Sequence, residues 1–262
     1  MNHRMPVRYA AMLLAVGLAA PATAGKAAED IGRQMEREYG VVGRDTREGR
    51  QVNDQMDRVT ERILRGVNMK RTGDNAFQLQ SAKVLGGASE KADKMINAFA
   101  LPDGRIYVTL GLVRAVRDSQ YSDDELAFVV GHEVTHVTEK HGSGQQKKAM
   151  QAGILAILLG AVTKNKTVGT AAGAGASAYV SSYGRKDEYR ADRGGLVAMR
   201  RAKFNLDAAV TMLKRLESKG GAQNKTLNGW FGSHPLTGNR VDRIEQMIAN
   251  IRAWKKVGAG LE

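Results

Sequence analysis

The chain reads as an α+β protein, mainly helical, with a small antiparallel sheet and a single helix that carries the chemistry. Three observations predict this. Apolar residues recur at helical spacing in several segments before and after a region of short alternating stretches between 77 and 109, and strands do not alternate regularly with helices. Helices are expected at 27–38 and 50–65, the second with Val52, Met56, Val59 and Ile63 on one face and an end near Gly66. Strands are expected at Phe77–Gln80 and Lys83–Leu85, then at Asn97–Ala100 and Arg105–Thr109 around the turn Pro102-Asp103-Gly104. Further helices follow at 111–118, 123–141, 186–202, 206–218 and 239–254, gathered on one side of the sheet.

The helix at 123–141 is bounded by Ser122-Asp123-Asp124-Glu125, which reads as a capping box, and by Lys140-His141-Gly142, a cation and glycine suited to a helix end. Inside it lies His132-Glu133-Val134-Thr135-His136. Histidines four apart share a helix face and can grip one metal ion, and the glutamate after the first can reach a water beside that ion as a general base. A catalytic zinc takes three protein ligands and keeps a fourth position open. Glu188 is the candidate third ligand. Asp192, one turn later on the same helix face, can accept the free ring N–H of a ligand histidine and fix its tautomer. Alone, Glu188 would read as a surface glutamate beside Arg185 and Arg190. Its pairing with Asp192 is the signal.

The segments Asn97 to Val108, the HEVTH helix, Glu188 to Asp192 and Ser233-His234-Pro235 occur in an order that resembles the HtpX-like and CAAX prenyl endopeptidase family of zinc metallopeptidases. Within it the chain is most similar to soluble periplasmic members related to the β-barrel assembly-enhancing protease, from about residue 30 to 252. The resemblance implies a zincin-like metallopeptidase domain with one Zn²⁺ per chain held by His132, His136 and Glu188, with Glu133 as general base and His234 as an active-site histidine. His234 either stabilises the oxyanion or occupies the open metal position as a fourth ligand. Asn97 and Ala98 are implied to lie on an edge strand that pairs with extended substrate, although spacing alone fits a hairpin arm with Phe99 in the core equally well. Arg240, near the start of the last helix, has two readings: a substrate-steering guanidinium or a surface arginine.

Residues 1–24 read as a signal peptide. Arg4 and Arg8 precede the apolar run Ala10 to Ala20, and Ala22-Thr23-Ala24 offers a cleavage site before Gly25. The run is well short of the roughly 20 residues that a membrane span needs. The expectation is therefore an exported, periplasmic protein with 25–262 as a single zinc metallopeptidase domain. With no cysteine, disulfides, thiol catalysis and Cys-type zinc sites are excluded. The formal charge is +13 and falls to +11 once Arg4 and Arg8 leave with the signal, which suits anionic membrane surfaces or acidic partners. Nucleic acid is not an expected partner, because the basic residues are dispersed and only 5% of residues are aromatic. The resemblance implies polypeptide partners, with unfolded, misassembled or outer-membrane proteins as the substrate class. The segment 143–184, apolar and then rich in glycine and alanine, reads either as a buried hairpin joining the two metal-binding helices or as a lid or membrane-touching flap. Two rival functions use the same groove without turnover: a proteolytically silent chaperone and a membrane-surface adaptor.

Overall fold

The computed structural model describes residues 32–67, 82–101, 103–139, 185–220, 234 and 239–258. The expected leader, the strand at 77–80, the helix end at 140–142 and the segment 143–184 lie outside those residues. In chain order the elements are α1 (32–39), α2 (Arg47–Gly66), β1 (Lys83–Leu85), α3 (Glu90–Lys94), β2 (Ala98–Ala100), β3 (Ile106–Thr109), α4 (Leu110–Val116), α5 (Ser122–Thr138), α6 (Arg185–Arg201), α7 (Asp207–Gly220) and α8 (Arg240–Gly258). This is the α+β class read from the sequence. Thr46 caps α2 by accepting the Gly49 N–H at 2.9 Å, and Val52, Met56, Val59 and Ile63 are buried on the expected face.

The sheet departs from the expected antiparallel arrangement. β2 and β3 pair antiparallel, with Phe99 opposite Tyr107 and their rings stacked 5.1 Å apart, but β1 runs parallel to β3 and the strand order is β1-β3-β2. The cause is the stretch after β1. The chain turns through Gly86 and Gly87, the latter at φ 94°, and enters α3 with Ser89 as its cap. That detour is too long for a tight hairpin, so β2 folds back on β3 alone and β1 joins the far edge of β3 in the same direction.

The expected capping box does not form at the start of α5. Tyr121 is the N-cap and makes no side-chain cap bond. Glu125 is fully buried, and its carboxylate accepts from Arg215 Nε of α7 at 2.9 Å and from Ser119 Oγ at 2.9 Å. A buried carboxylate gains more from a guanidinium than from one backbone N–H, so the long-range pair wins. It also ties α7 to α5.

Helices α5 and α6 make the most extensive helix pair in the fold, and α2 packs across both. Phe128, Val129 and Val130 of α5 join Leu196, Ala198 and Met199 of α6 in one apolar core. Helix α6 ends in a Schellman turn. Phe204 N–H reaches the Met199 carbonyl at 2.9 Å, Lys203 N–H reaches the Arg200 carbonyl at 3.1 Å, and Lys203 takes the left-handed conformation at φ 59°. Arg62 of α2 closes that end by donating to the Ala202 carbonyl at 2.9 Å while lying 3.7 Å over the Phe204 ring.

Candidate active site

Every residue of α5 from Glu125 to Val137 is buried, so the i, i+4 spacing of His132 and His136 projects both rings into the protein interior toward α6. Their Nε2 atoms are 2.9 Å apart. From α6, Glu188 brings Oε1 to 3.4 Å from His136 Nε2 and Oε2 to 3.6 Å from His132 Nε2. His234 comes from outside both helices. Its Nδ1 lies 3.1 Å from His132 Nε2 and 3.1 Å from Glu188 Oε1. One donor atom from each of these four buried residues lies within 4.8 Å of the others.

The donor set fits zinc. Asp192 Oδ1 sits 3.0 Å from His132 Nδ1, so the ring carries its proton there and turns the Nε2 lone pair toward His136 Nε2 and Glu188. Two imidazole nitrogens converging with a buried carboxylate make the nitrogen-and-oxygen set that a divalent zinc satisfies. Burial pushes the His132 pKa down to about 4 against the opposing pull of Asp192, which keeps the ring neutral, as a ligand must be. Glu188 is held well below the ordinary carboxylate range: burial opposes this, but His234, His136 and Arg240 outweigh it.

Glu133 follows His132 by one residue and points to a different part of the same space, with Oε1 3.1 Å from His234 Nε2. Burial would raise its pKa, but His234, His132 and His136 lower it, and the group stays a carboxylate. His234 moves the other way. Burial lowers its pKa, yet Glu133 and Glu188 together carry it up to about 9. Its two ring nitrogens thus bridge Glu133 on α5 and Glu188 on α6.

Arg240 is not a surface arginine. It is 1% exposed, and its guanidinium grips Asp192 through Nε to Oδ2 and Nη2 to Oδ1, both at 2.7 Å. Its Nη1 lies 3.2 Å from Glu188 Oε2 and donates to the His234 carbonyl at 3.3 Å. Those contacts place it behind the acids of α6, joining α8 and the His234 backbone to the site. Its sequence position gives no hint of this, but a general rule does: two buried acids on one helix require a cation.

Asn97 and Ala98 sit at the start of β2, on the sheet edge that packs against α5. Asn97 is buried; its N–H goes to Thr109 Oγ1 at 2.9 Å, and its side-chain carbonyl accepts the Ala98 N–H at 2.9 Å. The edge strand therefore lies beside the helix that carries Glu133, with the N–H of its first residue held by the preceding asparagine.

Residues 50–248 match peptidase family M48. The chain is 28% identical over 162 residues to the mitochondrial metalloendopeptidase OMA1 of Schizosaccharomyces pombe, a match covering 60% of this chain and 44% of that protein. It is 26% identical over 199 residues to the putative beta-barrel assembly-enhancing protease of Vibrio cholerae, covering 72% of this chain and 38% of that one. With the beta-barrel assembly-enhancing protease of Escherichia coli the identity is 33% over 167 residues, covering 58% and 33%. The chain spans less than half the length of each of these relatives.

Proposed function

The chain belongs to peptidase family M48, and from that membership we propose that it is a zinc-dependent endopeptidase of the periplasm that cleaves unfolded or misassembled envelope proteins. The carrying observation is the buried convergence of His132, His136 and Glu188, with Asp192 fixing the first ring and Glu133 held as a carboxylate next to them. Zinc, when bound there, supplies a Lewis acid that polarises the scissile carbonyl and acidifies water. The chain's own groups do the rest. His132, His136 and Glu188 hold the ion; Glu133 takes a proton from the attacking water and passes it to the leaving amine, so the acyl carbon gains the hydroxyl as the C–N bond breaks. His234 has Nδ1 among the four clustered donor atoms and Nε2 on Glu133, so this ring would serve as a further ligand only in its neutral form, once the ion displaces its proton. An oxyanion role requires the same ring to turn to the scissile carbonyl once substrate is in place. On the β2 edge beside α5 the main chain of Asn97 is already bonded to Thr109, so pairing with an extended peptide falls to Ala98, whose N–H the Asn97 side chain holds until substrate replaces it.

The envelope substrate class rests on the names of the Vibrio cholerae and Escherichia coli relatives and on the signal-like residues 1–24. The similarity to a mitochondrial enzyme supports the peptidase chemistry rather than that substrate class. Purified protein is expected to carry about one zinc per chain and to cleave unfolded casein, with both lost in His136→Ala and cleavage blocked by phenanthroline. Undiminished cleavage by a zinc-free preparation sinks the proposal. Binding of casein without cleavage by the zinc-loaded protein points instead to a silent chaperone.

One observation favours peripheral contact with an anionic membrane. A cleft of about 500 Å³ at the C-terminal ends of α2 and α6 is lined by Arg62, Arg65, Arg201 and Lys203 with Gly66 and Ala202, and among the described residues no acid lines it. Co-sedimentation with phosphatidylglycerol vesicles, absent with phosphatidylcholine and lost in the combined Arg65→Gln, Arg201→Gln and Lys203→Gln variant, is the expected result. Equal binding by that variant removes the cleft from the account.

A further inference from the structure

The two helices that supply the metal site cross at glycines. Glu188, Asp192 and Gly195 fall at spacings of four and three and therefore share one stripe of α6, and this stripe lies on the part of α5 formed by Phe128, Gly131, His132 and Thr135. A methyl group built at Gly195 would come within 3.1 Å of the His132 backbone nitrogen, 3.4 Å of the Gly131 carbonyl carbon and 3.4 Å of the Phe128 oxygen. Built at Gly131, it would lie 3.0 Å from the Gly195 Cα. At Gly194 it would meet Thr135 Oγ1 at 2.3 Å and Cγ2 at 2.4 Å, and that side chain is held by its bond to the Gly131 carbonyl at 2.7 Å.

We infer that Gly131, Gly194 and Gly195 are positioning residues for the metal: their missing side chains set the distance between α5 and α6, and so between the histidine pair and Glu188. Because the nearest obstacles at Gly131 and Gly195 are backbone atoms, rotamer changes cannot relieve them. The helices must separate by a few tenths of an ångström. That matters here more than in an ordinary core, because metal–ligand distances are held to within about 0.2 Å of their ideal values. Gly195 lies directly against the His132 backbone nitrogen, so a separation at this crossing opens the gap between the histidine pair on α5 and Asp192 and Glu188, one and two turns away along α6. Helical propensity also argues for a geometric reason for these residues, since an adjacent glycine pair in mid-helix is destabilising relative to alanine.

The same helix provides a control. Gly66 of α2 contacts the far end of α6, where an added methyl would lie 2.8 Å from the Ala198 carbonyl oxygen and 3.1 Å from the Ala202 nitrogen. It is a tighter contact than those at Gly131 and Gly195, and it spaces α6 from α2 rather than from α5. The test compares zinc dissociation constants, by competition with a chelator of known affinity, and thermal midpoints of the zinc-free proteins. The inference rests on the zinc assignment, and wild type that binds no zinc refutes that assignment alone. Given wild-type binding, Gly195→Ala is expected to weaken zinc by about tenfold or more, the range seen when groups orienting the ligands are removed, while Gly66→Ala stays within about twofold of wild type at a similar loss of thermal midpoint. Gly194→Ala is expected to weaken zinc further, and adding Thr135→Ala, which removes the two nearest atoms, is expected to restore part of the affinity. Should Gly194→Ala fail to fold, Gly195→Ala still decides the matter. Zinc affinity within twofold of wild type in Gly195→Ala, or an equal loss in Gly66→Ala, overturns the inference.

Discussion

Glu48 at the start of α2 and Glu188 on α6 are both glutamates held by arginines, yet their surroundings differ. Glu48 accepts from Arg114 Nε at 2.9 Å and Nη2 at 2.8 Å and is also held by Arg117, but its side chain is 36% exposed. Glu188 is 1% exposed, and its cationic neighbours are Arg240 and the histidine rings. Water screens the first cluster and is replaced by protein in the second. A surface glutamate that loses its arginines regains hydration, whereas a buried one keeps its charge with nothing to offset it. The site therefore behaves as a unit: Asp192 orients His132 and binds Arg240, Arg240 faces Glu188 and bonds the His234 backbone, and His234 faces both Glu133 and Glu188. Single changes there should cost far more than their one lost contact.

The largest effect is expected at Arg240. Its removal leaves Asp192 and Glu188 buried without their guanidinium, and breaking a buried ion pair in this way typically costs about 3–5 kcal/mol. Arg240→Ala should lower the urea midpoint of the zinc-free protein accordingly and weaken zinc as Glu188 and His132 lose their support. Arg240→Met, which keeps most of the volume, should be nearly as damaging, because the loss is one of charge compensation rather than of packing. A cost below about 1 kcal/mol in both variants would erase the contrast with Glu48.

What the sequence revealed of this site, and what it hid, follows the same division. The ligands on α5 were legible because a four-residue spacing maps directly onto a helix face, and Asp192 was legible because it repeats that spacing from Glu188. The α+β class followed from periodicity for the same reason. The burial of Arg240 against Asp192 was not legible, because its partner is 48 residues away and no local pattern links them. Glu125 failed in the same manner: locally it completes a capping box, but Arg215, 90 residues later, takes the carboxylate. β1 joined β3 in parallel because its partner choice depended on the route through α3, which short alternating stretches do not encode. Local periodicity is written in neighbouring residues, whereas the pairing of buried charges is settled only when the chain has closed around them.

An intermediate effect is expected at Glu133, where chemistry can be separated from assembly. Glu133→Gln keeps the shape and removes the base, so kcat should fall by about a hundredfold or more, equivalent to roughly 2.7 kcal/mol of barrier, with zinc content unchanged. The variant also probes the charge coupling. His234 loses one of the two carboxylates that carry its pKa up to about 9, so in the zinc-free variant its titration, followed by NMR, should shift to lower pH. Loss of zinc from Glu133→Gln would make the residue part of the metal scaffold instead.

The smallest effect is expected at Glu48, and it tests the other side of the comparison. Hydrogen bonds from Arg114 and Arg117 hold the Glu48 carboxyl down to about 2. The sign follows directly: a carboxylate with a depressed folded-state pKa stabilises the fold above its ordinary value near 4.5 and loses that contribution as the pH falls toward 2. Because the group is well exposed, screening cuts the gain to the range of surface pairs, about 0.2–1 kcal/mol, rather than the larger figure the shift alone implies. Glu48→Gln should therefore lower the urea midpoint only slightly at pH 7. The gap from wild type should narrow at pH 3.5 and largely vanish in 1 M salt, where the screening length is about 3 Å. Arg240→Ala should keep its deficit at the same salt concentration, since its partners are out of reach of ions. A Glu48→Gln cost above about 2 kcal/mol that salt does not reduce would show that the surface cluster is coupled like the buried one, and burial would no longer explain the difference between them.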